Sequence, residues 1–161
     1  MTLDKTEREL RFFAAVQLAR PLLRHITGAV EEGLREWDIS VGQRAILEAL
    51  LSRPGSSLPE LTGLLMLKRQ FIHRVLQEVL ASGLVSSSPS PNRRGAQLYH
   101  LTTRGEEAIR AIRAAELEKL KVFLASHPAG DIDAFIRVQA ALNRFFEGLA
   151  KSSRPGDEGT L

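Results

Sequence analysis

Apolar residues recur at Phe12, Val16, Leu23, Ile26, Val30, Leu34 and Trp37, close enough to the 3.6-residue period to predict a long amphipathic helix over about residues 4–37. Pro21 falls inside it. Lacking an N–H and crowding the Gln17 carbonyl, this proline predicts a kink, or two helices in sequence. Ser40-Val41-Gly42-Gln43 then has the form of a capping box, and Ala45, Ile46, Leu47, Leu50 and Leu51 follow as the buried stripe of a short second helix.

Arg53-Pro54-Gly55-Ser56 ends that helix, and a second capping box, Ser57-Leu58-Pro59-Glu60, opens another through Leu61, Leu64 and Leu65. Met66, Leu67 and Lys68 separate it from a helix over about residues 69–82, which carries Ile72, Val75, Leu76, Val79 and Leu80 on one face and stops at Gly83. This is a helix, a tight turn and a helix. Leu84-Val85 starts an extended stretch, Ser88 to Gly95 reads as a loop, and Gln97-Leu98-Tyr99-His100-Leu101 returns as a strand, so a small hairpin with arginines at its tip follows.

Thr103-Arg104-Gly105-Glu106 caps a long helix with Ile109, Ile112, Leu120 and Leu124, which stops near His127-Pro128-Ala129-Gly130. A last helix starts near Asp131 and repeats Ile132, Phe135, Val138, Leu142, Phe145 or Phe146, and Leu149. The fold class is therefore mainly α with a small β-hairpin wing. A winged helix-turn-helix core is flanked in the chain by N- and C-terminal helices whose apolar stripes the small core cannot cover, which predicts dimerisation. The expected organisation is a single domain over residues 1–150, with a core at about 40–102, dimerisation helices at about 4–37 and 103–150, and a flexible polar tail at 151–161.

Composition narrows the function. A chain of 161 residues, 43% hydrophobic and 25% charged, suits one soluble globular domain, and no apolar run suggests a membrane span. The start has no basic segment followed by an apolar stretch, so a cytoplasmic protein is expected. The absence of cysteine excludes disulfides, thiolate nucleophiles and thiol redox switching. The net charge of +3 is small but uneven: residues 41–105 hold 8 Lys/Arg against 3 Asp/Glu, so the excess is all central.

That basic centre coincides with the helix-turn-helix, whose second helix suits a DNA major groove about 12 Å wide. Stepping about 100° per residue from the buried stripe, Gln70, Arg74 and Gln77 point outward, with Phe71 and His73 on the flanks. Arginine bonds bidentately to guanine and glutamine to adenine, while Lys68 and Arg69 stand at the helix start where phosphates pass. The plainer alternative is a solvated helix surface. At the hairpin tip, Arg93 and Arg94 suit an adjacent A·T-rich minor groove, the alternative being a soluble turn.

From about residue 10 to residue 149 the chain resembles the MarR family of bacterial transcription regulators. The resemblance is carried by Leu61 and Leu64, Arg74 and Val79, Gly83-Leu84-Val85, the wing Asn92-Arg93-Arg94-Gly95, and Leu101-Thr102-Thr103-Arg104-Gly105. It implies a two-fold dimer joined by its terminal helices, with one recognition helix per half-site of a pseudo-palindromic operator on double-stranded DNA, and repression relieved by a ligand. The family wing usually reads Asp-x-Arg. Here Asn92 takes the aspartate position, which makes the expected clamp a neutral hydrogen bond, and the spacing to Leu101-Thr102 leaves either Arg93 or Arg94 as the minor-groove residue, with Arg94 preferred. Phe71 stands where the family more often has a small residue, either to touch a thymine methyl or to pack on a neighbouring element.

The resemblance also implies a small aromatic or anionic effector in a cleft between dimer helices and core. His25, Trp37 and Arg44 are the candidates there, although a helix-buried His or Trp is more often plain core. No cofactor and no metal is expected, since His25, His73, His100 and His127 lack helical metal-ligand spacing. Two rival functions stand beside a non-enzymatic regulator: a winged helix used only for protein contacts, and a helical histidine phosphotransfer protein acting through His73.

Overall fold

The computed structural model describes residues 4–152, so part of the predicted polar tail lies outside the described residues. Pro21 divides the first predicted helix in two without sitting at the break. Helix α1, Lys5–Gln17, ends at Leu18, and α2, Ala19–Leu34, places Pro21 in its first turn, where a backbone N–H has no partner within the helix. A 3-10 turn, Arg35–Trp37, follows, and Asp38 takes a left-handed conformation (φ 52°) before the next helix.

Helix α3, Val41–Ser52, opens on the expected box: the Gln43 N–H donates to Ser40 Oγ (3.2 Å) and the Ser40 N–H to Gln43 Oε1 (3.1 Å). Helix α4, Leu58–Leu65, opens at Ser57, whose N–H and hydroxyl both donate to the Glu60 carboxylate (2.6 Å each). These bonds favour the charged form and hold Glu60 below its ordinary pKa, the hydroxyl bond most strongly. Met66, Leu67 and Lys68 make the turn into α5, Arg69–Ala81.

Strands β2, Val85–Pro89, and β3, Gln97–Leu101, form the predicted hairpin, with Ser87 opposite Tyr99. A third strand was not predicted. β1, Ser56–Ser57, pairs antiparallel with β3 to give the order β1-β3-β2 and ties the start of α4 to the wing.

The core lies where these elements meet. Ile46, Leu47 and Leu50 of α3, Leu61 of α4, and Ile72, Val75, Leu76 and Val79 of α5 are buried with Leu84, Val85 and Tyr99 of the wing. Helix α6, Thr103–Leu124, adds Ile109 and Ile112. Its cap is Thr102, one residue earlier than the box predicted at Thr103: the Thr102 hydroxyl donates to the Gly83 carbonyl (2.8 Å) and accepts from the Gly105 N–H (3.1 Å). Gly105 is needed because a Cβ there would lie 1.9 Å from the Leu84 carbonyl oxygen. Two ion pairs also cross from α3 to α6, Arg44 to Glu116 and Arg113 to Glu48, both partly buried.

This first unit runs to Glu116, and a second begins at Leu117 with the end of α6. In the second unit, Phe123 stacks on His127 with ring centroids 3.9 Å apart, and His127 Nδ1 lies 2.8 Å from the Phe123 carbonyl oxygen. Helix α7, Ala129–Ser152, then starts two residues before the predicted Asp131.

Candidate nucleic-acid interface

The inward stripe of α5 leaves its opposite face in solvent. Lys68, Arg69, Gln70, His73, Arg74 and Gln77 are all exposed. At about 100° per residue they form an ordered strip, Arg69, His73, Gln77, Gln70 and Arg74, that spans about 140° of the helix. Burying the stripe therefore sets the order in which these side chains meet a partner.

The two margins of the strip differ. On one side Arg69 and His73 line a cavity of about 800 Å³ together with the wing residues Asn92, Arg93, Arg94 and Gln97. On the other, Arg74 lines a cavity of about 440 Å³ with Glu31, Leu34, Gly42, Phe71 and Glu78. Lys68 is the N-cap of α5, in extended backbone, so its side chain leaves the helix at the end where backbone N–H groups are unpaired.

The wing tip holds its shape through backbone bonds. The Ser90 N–H donates to the Ala96 carbonyl (2.8 Å), the Ala96 N–H to the Arg93 carbonyl (3.1 Å), and Gly95 takes φ +78°. Arg93 and Arg94 are exposed on it. The neutral bond expected from Asn92 is not formed: among the described residues, no hydrogen bond joins its side chain to either arginine. Both arginines thus keep their donors for a partner.

Phe71 packs rather than projects. It is half-buried against the core, and its ring lies so close to Gly42 that a Cβ there would be 2.9 Å from Phe71 Cζ. The Arg74 guanidinium lies over the same ring, 5.3 Å from its centroid, and its Nη1 donates to Glu78 Oε1 (3.1 Å). Glu78 was not singled out from the sequence. Its place four residues after Arg74 is the spacing of a helical ion pair and carried the information. Glu60 also lines the wing cavity, and there the capping pattern pointed to it only as a helix-opening residue.

Among the described residues, no cavity or hydrogen bond is shared by the three residues assigned to an effector cleft. His25 is exposed on α2. Trp37 is half-buried on the core, and its buried indole N–H has no hydrogen-bond partner among the described residues. Arg44 is held by Glu116, with Nε donating to Oε1 at 2.8 Å, and that bond raises its pKa against the opposing effect of burial, helped by the charges of Glu116 and Glu48. Neither cavity beside α5 is lined by any of the three.

No family model matches the sequence, and no curated protein matches it. Solved structures do. A crystal structure of a MarR family transcription regulator is 45% identical, covering 92% of this chain and 98% of its own, with a TM-score of 0.82. At the level of fold alone, the chain is similar to a mutant MarR of E. coli complexed with operator DNA, at 19% identity, 82% and 95% coverage and a TM-score of 0.70. It is likewise similar to FabT of Streptococcus pneumoniae in complex with DNA, at 16% identity, 86% and 99% coverage and a TM-score of 0.71. On the identity and coverage of the first of these, this chain belongs to the MarR family of transcription regulators.

Proposed function

We propose that the chain binds double-stranded DNA sequence-specifically as a homodimer, and that it acts in the cytoplasm as a ligand-responsive, non-enzymatic repressor on a pseudo-palindromic operator. The observation that carries this is the exposed strip of α5, with Arg69 and His73 lining one cavity together with an arginine-tipped wing and Arg74 at the other margin. Gln70, Arg74 and Gln77 read base edges in the major groove, Lys68 and Arg69 hold phosphates, and Arg93 or Arg94 enters the minor groove. His73 lies between the two sets. Support comes from relatives of the same fold that are bound to DNA, one of them to operator DNA.

The homodimer is supported by apolar side chains left exposed on the outer helices, among them Phe12, Phe13, Leu22 and Ile26 in the first unit and Phe123, Phe135 and Phe145 in the second. The effector is a small aromatic or anionic compound. Trp37 supports it with a buried, unpartnered donor, and His25 is free to reach it, whereas Arg44 contributes only by leaving Glu116. No helix among the described residues is long and apolar enough to cross a membrane.

Selection of bound duplexes from a random-sequence pool tests the reading. The expected result is a pseudo-palindrome with half-sites about 10 base pairs apart, bound at roughly nanomolar to tens-of-nanomolar affinity in physiological salt. Failure to enrich any sequence contradicts it and favours a winged helix used only for protein contacts.

A further inference from the structure

We propose that Glu78, anchored by Gln43, is a positioning residue that holds Arg74 in register and thereby sharpens base preference at the position Arg74 reads. The inference rests on the reading that α5 enters the major groove. Its basis is a chain of bonds from α3 to the exposed face of α5. The Gln43 side-chain oxygen accepts from the Ser40 N–H (3.1 Å), which fixes the amide orientation and leaves Nε2 as the donor. That Nε2 donates to Glu78 Oε2 (3.1 Å), and the second carboxylate oxygen, Oε1, accepts from Arg74 Nη1 (3.1 Å). Each oxygen of Glu78 therefore serves a different partner.

A second contact acts on the same guanidinium. It lies over the Phe71 ring, and that ring is seated against Gly42, where any larger residue would collide with it. Arg74 is thus held by charge from one side and by an aromatic face from the other, although its side chain is 65% exposed. Of its five N–H groups one is spent on Glu78, and a bidentate contact with guanine needs two.

An ordinary surface ion pair explains this less well. An acid four residues after its base has the less favourable orientation for helix stability, and exposed pairs contribute little. A carboxylate beside a DNA-facing arginine also opposes phosphate attraction. Preorganising a rotamer-rich side chain is the effect that offsets both, because a held guanidinium penalises a mismatched base that a free one would swing to accommodate.

The test uses duplexes selected by the wild-type protein and their single-base-pair variants. Glu78→Ala is expected to reduce discrimination at the Arg74 position about fivefold, part of the roughly 5- to 150-fold that a bidentate contact supplies. Affinity for random duplex should hold or rise, since a negative charge is removed. A merely structural role would instead weaken both together and lower the urea midpoint. Adding Glu78→Ala to Arg74→Ala should cause no further loss of discrimination. If Glu78→Ala does not fold, Glu78→Gln replaces it with the same shape and a weaker hold, and a smaller loss of discrimination is expected. Wild-type discrimination in the folded Glu78 variant overturns the proposal. If Arg74→Ala itself leaves discrimination intact, base reading by Arg74 fails, and the proposal falls with it.

Discussion

The winged core and the outer helices use the same kinds of side chain to opposite ends. Along α3 and α5, Ile46, Leu47, Leu50, Ile72, Val75, Leu76 and Val79 are all at most 2% exposed. Helix α1 buries none of its residues, and in the second unit Phe123, Phe135, Phe145 and Phe146 are each about half exposed. The core is completed by its own contacts, whereas the outer helices carry apolar faces that the single chain leaves open. A substitution in the first region is therefore expected to be felt in folding and, on the proposed homodimer, one in the second in association.

The largest effect is expected where the core is tightest. Gly105→Ala forces a Cβ against the Leu84 carbonyl, so the junction of wing and α6 must shift, and a loss of about 3 kcal/mol or more is expected in urea unfolding. An unchanged midpoint would mean that the junction is loose. Phe145→Asp makes the contrasting case: chain folding should persist, while sedimentation at micromolar concentration shows dissociation, with association weakened by about 2 kcal/mol or roughly thirtyfold. A dimer of wild-type affinity would remove α7 from the interface.

Arg44→Ala sharpens the comparison from within the core. It leaves the partly buried Glu116 carboxylate without its arginine, and a loss of about 1–2 kcal/mol in urea unfolding is expected. An effector-dependent phenotype at unchanged stability would instead place Arg44 in a ligand site. The smallest effect concerns Glu60. Its folded pKa is lowered, so the stability it adds is present above the ordinary value of 4.5 and is lost as pH falls through the folded value. In Glu60→Gln the acid-side decline of the urea midpoint should be shallower than in the wild type, and identical profiles would show that the Ser57 bonds do not form.

Much of this architecture was legible in local pattern. The boxes at Ser40 and Ser57, the apolar stripe of α5 and the glycine stop at Gly83 are short-range features, and each sits where spacing placed it. β1 was missed because two serines carry no hydrophobic alternation and pair with β3 through backbone alone. The helix break fell at Leu18 rather than at Pro21 because a proline is accommodated in a first helical turn. In the site, the outward residues of α5 and the spacing of Glu78 from Arg74 followed from periodicity, but the Gln43 anchor on Glu78 did not. Gln43 and Glu78 are 35 residues apart, and Arg44 and Glu116 are 72 apart, so only the folded chain brings these pairs together.

Base reading by the exposed face of α5, with phosphates held at its N-terminal end, is best separated from general DNA affinity by comparing Arg74→Ala with Lys68→Ala. Dissociation constants would be measured on the selected duplex and on each of its single-base-pair variants. Arg74→Ala is expected to cost about 1–3 kcal/mol and to flatten preference at one base pair per half-site, whereas Lys68→Ala should weaken every duplex alike and reduce the salt slope by about 1. Equal, sequence-independent losses in the two variants would contradict it.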